Sequence, residues 1–84
     1  MVIQVTYKTV TEANDPHSSS VRTKYFDAPG SELPQKALIV RKLRALEPNF
    51  DENTLSIETH AQTGDELRKG GIEVDEIHYG NEAG

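Results

Sequence analysis

From Val2 to Val10 the chain alternates, with Ile3, Val5 and Tyr7 on one side and Gln4, Thr6 and Lys8 on the other. Period two with β-branched residues predicts a strand. Val21–Phe26 resumes the alternation, Val21, Thr23 and Tyr25 opposing Arg22, Lys24 and Phe26. The stretch between them, Glu12-Ala13-Asn14-Asp15-Pro16-His17-Ser18-Ser19-Ser20, is rich in breakers and predicts a flexible loop over 11–20. Two strands joined in this way make an antiparallel hairpin with an extended connection.

The period then changes. Asp27-Ala28-Pro29-Gly30 is turn chemistry, and Ser31 is placed to cap a helix running from Glu32 to Leu46. Pro34 would fall in its first turn, where a missing N–H costs nothing. On a helical wheel Ile39, Val40, Leu43 and Leu46 form the apolar stripe with Leu33 at its margin, while Leu38, Arg41 and Lys42 point elsewhere. Pro48 stops the helix, and Phe50 is expected to fold back onto that stripe.

Thr54–Ala61 alternates again, with Leu55, Ile57, Thr59 and Ala61 opposite Ser56, Glu58 and His60. Thr63-Gly64-Asp65-Glu66 matches a capping box and opens a short helical turn that Gly70-Gly71 closes. Ile72–Tyr79 is the last predicted strand. Ile72 and Val74 share one parity, Ile77 and Tyr79 the other, so a bulge near Asp75-Glu76 is expected to return all four to one face.

The predicted order is β-β-α-β-(short α)-β, an α+β domain over 1–84. One helix packs on one face of a four-stranded sheet, the other face meets water, the first strand is central, and 80–84 form a disordered tail. This order is similar to the β-grasp (ubiquitin-like) arrangement and to small ββαβ proteins of phages and mobile elements, some anti-CRISPR proteins among them. The likeness is one of architecture, carried by no motif, and architecture alone does not specify function.

Composition narrows the classes. Eighty-four residues suit one core rather than two. The chain has no cysteine, which removes disulfides, thiolate metal sites and cysteine nucleophiles, and fits a reducing cytoplasm. The alternating N-terminus does not read as a signal peptide, and no run approaches the ~20 apolar residues of a membrane span. A cytoplasmic protein without membrane partners is expected.

Charge is divided along the chain. Seven Lys/Arg face four Asp/Glu from Met1 to Arg44, and two face ten from Ala45 to Gly84, so a net charge of −5 hides a positive half. Such polarity orients a small protein on a charged partner, and it permits head-to-tail self-association, the positive hairpin of one copy against the negative strands of another.

Three candidate surfaces follow. Glu58, Glu73, Asp75 and Glu76 form an acidic set for a basic patch on a partner protein. Lys8, Arg22, Lys24, Arg41 and Lys42 form a basic set for nucleic acid, although the interleaved aromatics that stack on single strands are lacking beside it, Phe26 being the sole candidate. The repeats Glu58-Thr59-His60 and Glu76-Ile77-His78 put Glu58, His60, Glu76 and His78 on strands; were those strands neighbours, the four could converge on a divalent metal. No nucleotide-binding glycine motif or nucleophile signature occurs. The expectation is a non-enzymatic adaptor or inhibitor without a cofactor, of a kind that phages and mobile elements encode, acting through the acidic C-terminal half; nucleic-acid binding is the alternative.

Overall fold

The computed structural model describes residues 1–30 and 32–77. Its elements are β1 (Val2–Thr9), α1 (Val10–Asn14), β2 (Arg22–Asp27), α2 (Lys36–Leu46), β3 (Phe50–His60), α3 (Gly64–Lys69) and β4 (Val74–Glu76). The strands form one sheet in the order β3-β1-β2-β4. Strand β1 is antiparallel to both β2 and β3, whereas β4 lies parallel to β2. The expected four-stranded α+β arrangement with a central first strand is therefore present.

Alternation along β1 sends Ile3, Val5 and Tyr7 toward α2, where they pack with Phe26, Ile39, Leu43, Phe50 and Ile77. Phe50 does fold back onto the helix. Leu38 and Val40 add half-buried flanks to this core, so Leu38 is less outward than its place on the wheel implied. Leu46, counted in the stripe, is exposed at the end of the helix. The helix also begins later than expected, with Gln35 at its cap and Pro34 buried just before it. The reason is local: a proline pushes the residue before it, here Leu33, into extended conformation. Ser31, the expected cap, lies outside the described residues.

The other face of the sheet is not wholly wet. Val2, Leu67 and Val74 form a second buried cluster there, with Tyr25 against it. Helix α3 is held over that end by the expected capping box, in which Glu66 N–H donates to Thr63 Oγ1 at 3.2 Å. It closes with Gly71 at φ 84, where Ile72 N–H reaches Leu67 O at 3.0 Å and Gly71 N–H reaches Arg68 O at 3.0 Å. These two bonds define a Schellman motif, and its left-handed residue favours glycine. The second layer also removes the need for a bulge in β4. Val74 buries toward α3 and Ile77 toward α2, so their opposite parity is satisfied by two cores. The pairing Tyr25↔Val74, Phe26↔Asp75, Asp27↔Glu76 runs without interruption. Residues 78–84, including Tyr79 and the expected tail, lie outside the described residues.

Two further departures come from side chains that bond to backbone. The expected loop over 11–20 begins with α1, whose first turn is fixed by Thr9 and Glu12: Thr9 N–H donates to Glu12 Oε1 at 2.9 Å, and Glu12 N–H to Thr9 Oγ1 at 3.3 Å. Strand β3 begins at Phe50 rather than Thr54 because the register slips between Thr6 and Lys8. At the slip the Thr54 hydroxyl takes a bond from Lys8 N–H at 2.8 Å and donates to Asp51 O at 2.7 Å, bridging the bulged segment to β1.

The ladders also fix which backbone groups face outward. Ala28 N–H donates to Met1 O at 2.8 Å and the Met1 nitrogen donates to Ala28 O at 2.6 Å, so these residues are a hydrogen-bonded pair. By alternation Ile3, Val5 and Tyr7 bond to β2, while Val2, Gln4 and Thr6 bond to β3. Their partners His60, Glu58 and Ser56 therefore turn inward, Ile57 and Thr59 turn their N–H and C=O groups away from the sheet, and Leu55, at the edge of the register shift, turns its C=O away with them. At the opposite margin the same reasoning turns Val74 and Glu76 outward, since Ile77 N–H bonds to Asp27 O at 2.9 Å.

Candidate functional site

The parallel pairing of β4 with β2 gathers α3 and β4 at one end of the molecule. Asp65 and Glu66 stand in the first turn of α3, and Glu73, Asp75 and Glu76 lie just before and along β4. Arg68 sits among them, donating to Val74 O at 3.0 Å and lying 3.7 Å from Asp65 and 3.9 Å from Glu76. It both occupies the outward carbonyl of Val74 and offsets part of the acidic charge. Ile72, 38 % exposed, lies between α3 and β4. It lines a shallow groove of about 170 Å³ with Tyr25, Thr23, Lys24, Glu73 and Asp75. Ile72 and Tyr25 give this groove its apolar surface, while Glu73 and Asp75 bring carboxylates to it and Lys24 one cation. In this setting a lysine or arginine of a partner can lay its stem on the apolar side chains and its charge by the carboxylates.

Glu58 does not belong to this margin. It lies on β3, separated from β4 by β1 and β2, or roughly 14 Å at the usual strand spacing. The acidic set expected as one surface is therefore Glu73, Asp75 and Glu76 on one side and Glu58 on the other. The same strand order separates the two Glu-x-His pairs. Glu58 and His60 are on β3 and Glu76 is on β4, so strands three and four are not neighbours; His78 lies outside the described residues. His60 is engaged locally, its ring edge-on to Tyr25 at 5.4 Å and its Nδ1 accepting from Gln62 N–H at 3.2 Å. Among the described residues no group of three or more His, Asp or Glu is arranged to hold a metal ion.

The basic set divides as well. Alternation puts Lys8 on the α3 side of the sheet, but Arg22 and Lys24 pair with Tyr7 and Val5 on the α2 side, so the three do not share one face of the hairpin. Arg22 is committed: its Nε lies 3.1 Å from Glu12 Oε1 and its Nη1 3.3 Å from Glu47 Oε1. Lys8 Nζ lies 3.4 Å from Ser18 O. Arg41 and Lys42 ride on α2 itself, Arg41 on the exposed side. Arg44, a further cation of α2, covers the Phe50 ring at 4.6 Å and reaches Glu52 at 3.6 Å.

The strongest electrostatic perturbations fall in one network joining α1, β1, β2 and the end of α2. Glu12 is held down at about 2, first by the Thr9 N–H and then by Arg22. Arg22 is raised in turn, chiefly by its bond to Glu12. Tyr7, only 1 % exposed, donates from its hydroxyl to Glu47 Oε1 at 3.2 Å, and burial followed by the Glu47 charge pushes its phenol up to about 12. Because the raised value favours the neutral phenol in the folded state, this contribution is complete below pH 10 and is lost as pH climbs toward 12. Urea titrations at pH 8 and pH 11 should show the midpoint of the parent protein falling more than that of Tyr7→Phe. Equal falls would remove Tyr7 from the account. The network reads as a tie between four elements, since its charged groups are spent on one another.

A larger open groove of about 680 Å³ runs along the start of α2 between Pro29, Leu33, Pro34, Ala37, Leu38 and Arg41. It holds none of the groups with displaced titration. No helix among the described residues is long and apolar enough to cross a membrane. No protein-family model, curated protein or solved structure matches the chain.

Proposed function

We propose that the protein is a non-enzymatic protein-interaction module, an adaptor or inhibitor whose α3–β4 margin receives a basic segment of its partner. One observation carries this reading: Ile72 lies exposed beside Tyr25, with two carboxylates, Glu73 and Asp75, against one cation, Lys24, along the same groove. Apolar contact supplies a desolvated centre and the carboxylates supply steering and register, the usual division of labour at a protein interface. The reading also accords with the Tyr7–Arg22–Glu12–Glu47 cluster, whose members satisfy each other instead of facing a substrate cavity.

A labelled peptide alternating lysine and leucine is the probe, followed by fluorescence anisotropy at low and high salt. Binding should weaken as salt rises, because exposed charges are screened within a Debye length of ~8–10 Å. In Glu73→Lys/Asp75→Lys, affinity should fall at least about tenfold, as expected when an attractive pair of rim charges becomes repulsive. That variant spares Glu76 and its pairing with Arg68. Unchanged affinity in the reversed protein, with folding verified by far-UV circular dichroism, would set the acidic margin aside.

A further inference from the structure

The two margins of the sheet are unequally protected. At β4 the guanidinium of Arg68 caps the outward carbonyl of Val74. At β3 the backbone groups of Ile57 and Thr59 and the C=O of Leu55 point outward, and among the described residues no strand pairs with them. Unpaired strand edges are templates for another strand, and natural proteins usually blunt them with lysine, proline, bulges or covering loops. The bulge between Asp51 and Ser56 protects only the first part of β3. Beyond it the strand has neither lysine nor proline.

We infer that this free stretch of β3 is where a second copy of the chain joins, antiparallel, with the two-fold axis at Ile57. The proposal goes beyond the function proposed above and uses the opposite margin. An added strand must meet two requirements. Its residues on the α2 side must be apolar or neutral, to cover the half-buried Leu55 and Ile57. Those on the other side must be polar without a carboxylate opposite Glu58. The sequence of β3 meets both when paired with itself.

Register selects the axis. An axis at Glu58 sets the two carboxylates directly opposite in a non-hydrogen-bonded pair, at the closest approach the ladder allows (~4.5 Å between Cα atoms). An axis at Leu55 runs Ile57 against Asn53, inside the bulge. An axis at Ser56 sets Glu58 against Thr54, whose hydroxyl is already committed to Lys8 and Asp51. At Ile57 these conflicts vanish. Ile57 opposes Ile57, Leu55 opposes Thr59, and each Ser56 hydroxyl can donate to Glu58 of the other copy. Ile57 pairs with Ile57 and each Thr59 N–H meets a Leu55 C=O of the other copy, making about four backbone bonds and one continuous eight-stranded sheet.

Light scattering of the full chain during gel filtration at high concentration should give about twice the 9.3 kDa monomer mass. Thr59→Pro removes an N–H that points away from β1, so it should leave the fold intact and return the mass to that of the monomer. The register has its own test, because the chain contains no cysteine. Ser56→Cys and Glu58→Cys, mixed in equal amounts and oxidised, should give mainly the mixed disulfide dimer, since positions 56 and 58 face each other across the axis. A parent protein that stays monomeric at every concentration would overturn the proposal. So would a Thr59→Pro variant that still dimerises, or a predominance of either symmetric disulfide. The peptide assay reads the other margin, so failure here leaves that reading standing.

Discussion

Phe50→Ala should lower the urea midpoint of unfolding by about 3 M. Truncating a buried phenylalanine costs roughly 3–5 kcal/mol, because the transfer free energy is lost and the cavity closes only in part. A domain of this size has a total stability of roughly 4–13 kcal/mol, so the loss is a large share of the whole. Phe50 is an unusually connected position. Its ring meets Tyr7 edge-on at 5.8 Å, Arg44 lies over it at 4.6 Å, and it opens β3 opposite Thr9. Removing the ring loosens the junction of α2, β1 and β3 together. At a denaturant slope of ~1 kcal/mol per molar, as expected for a small domain, the shift is easily read. A shift below about 1 M would mean that the surrounding side chains close over the gap, and that the junction is held by its hydrogen bonds.

Leu67→Ala is the second large expectation, and its signature is spatial. Leu67 is the buried residue by which α3 covers Val2 and Val74, and Leu→Ala in a core costs roughly 2–5 kcal/mol. The main core does not contain this residue, so the loss should fall on α3 and its exit rather than on the whole molecule. Amide exchange should accelerate at Gly70, Gly71 and Ile72, whose N–H groups bond back to α3. Amides of β1 facing β2 should keep most of their protection. Uniform acceleration across the sheet would show instead that both clusters unfold as one unit. The peptide affinity of the acidic margin should fall along with α3, because Asp65 and Glu66 are carried by it and Ile72 N–H is bonded back to Leu67 O.

Much of this architecture was legible from local pattern. The alternation of β1 and β2, the Ile39, Val40 and Leu43 part of the α2 stripe, and the Thr63–Glu66 box with its glycine exit each rest on interactions within a few residues, and each is present. Leu33 and Leu46, at the ends of the expected stripe, are exposed instead. What escaped has physical reasons. Thr9-Val10-Thr11-Glu12 carries the same capping signature as Thr63–Glu66, but one turn of helix among breakers offers no hydrophobic period to notice. The bulge at 51–54 reads as loop because its ladder is completed by the Thr54 side chain. Val74 and Ile77 suggested a bulge only under the assumption of a single buried face; α3 supplies the second.

The candidate surfaces depended on a longer-range fact. Whether Glu58 and Glu76 share a surface, or whether His60 can meet Glu76, is decided by strand order, and local periodicity carries no information about that order. Summing charge by position along the chain had the same weakness. Arg22 counted toward a positive half, yet in space it is spent on Glu12 and Glu47, the latter from the negative half.

The strand order has one more consequence. Copies joined along β3 would place each β4 at an outer rim, seven strand spacings apart, or roughly 33 Å. Twist of ~20–25° per strand would turn the two rims to nearly opposite directions. Such a particle is bivalent, and geometry lets it tether two separate basic targets more readily than clasp a single one from both sides. Its avidity would then depend on how the targets are spaced, not on any added contact.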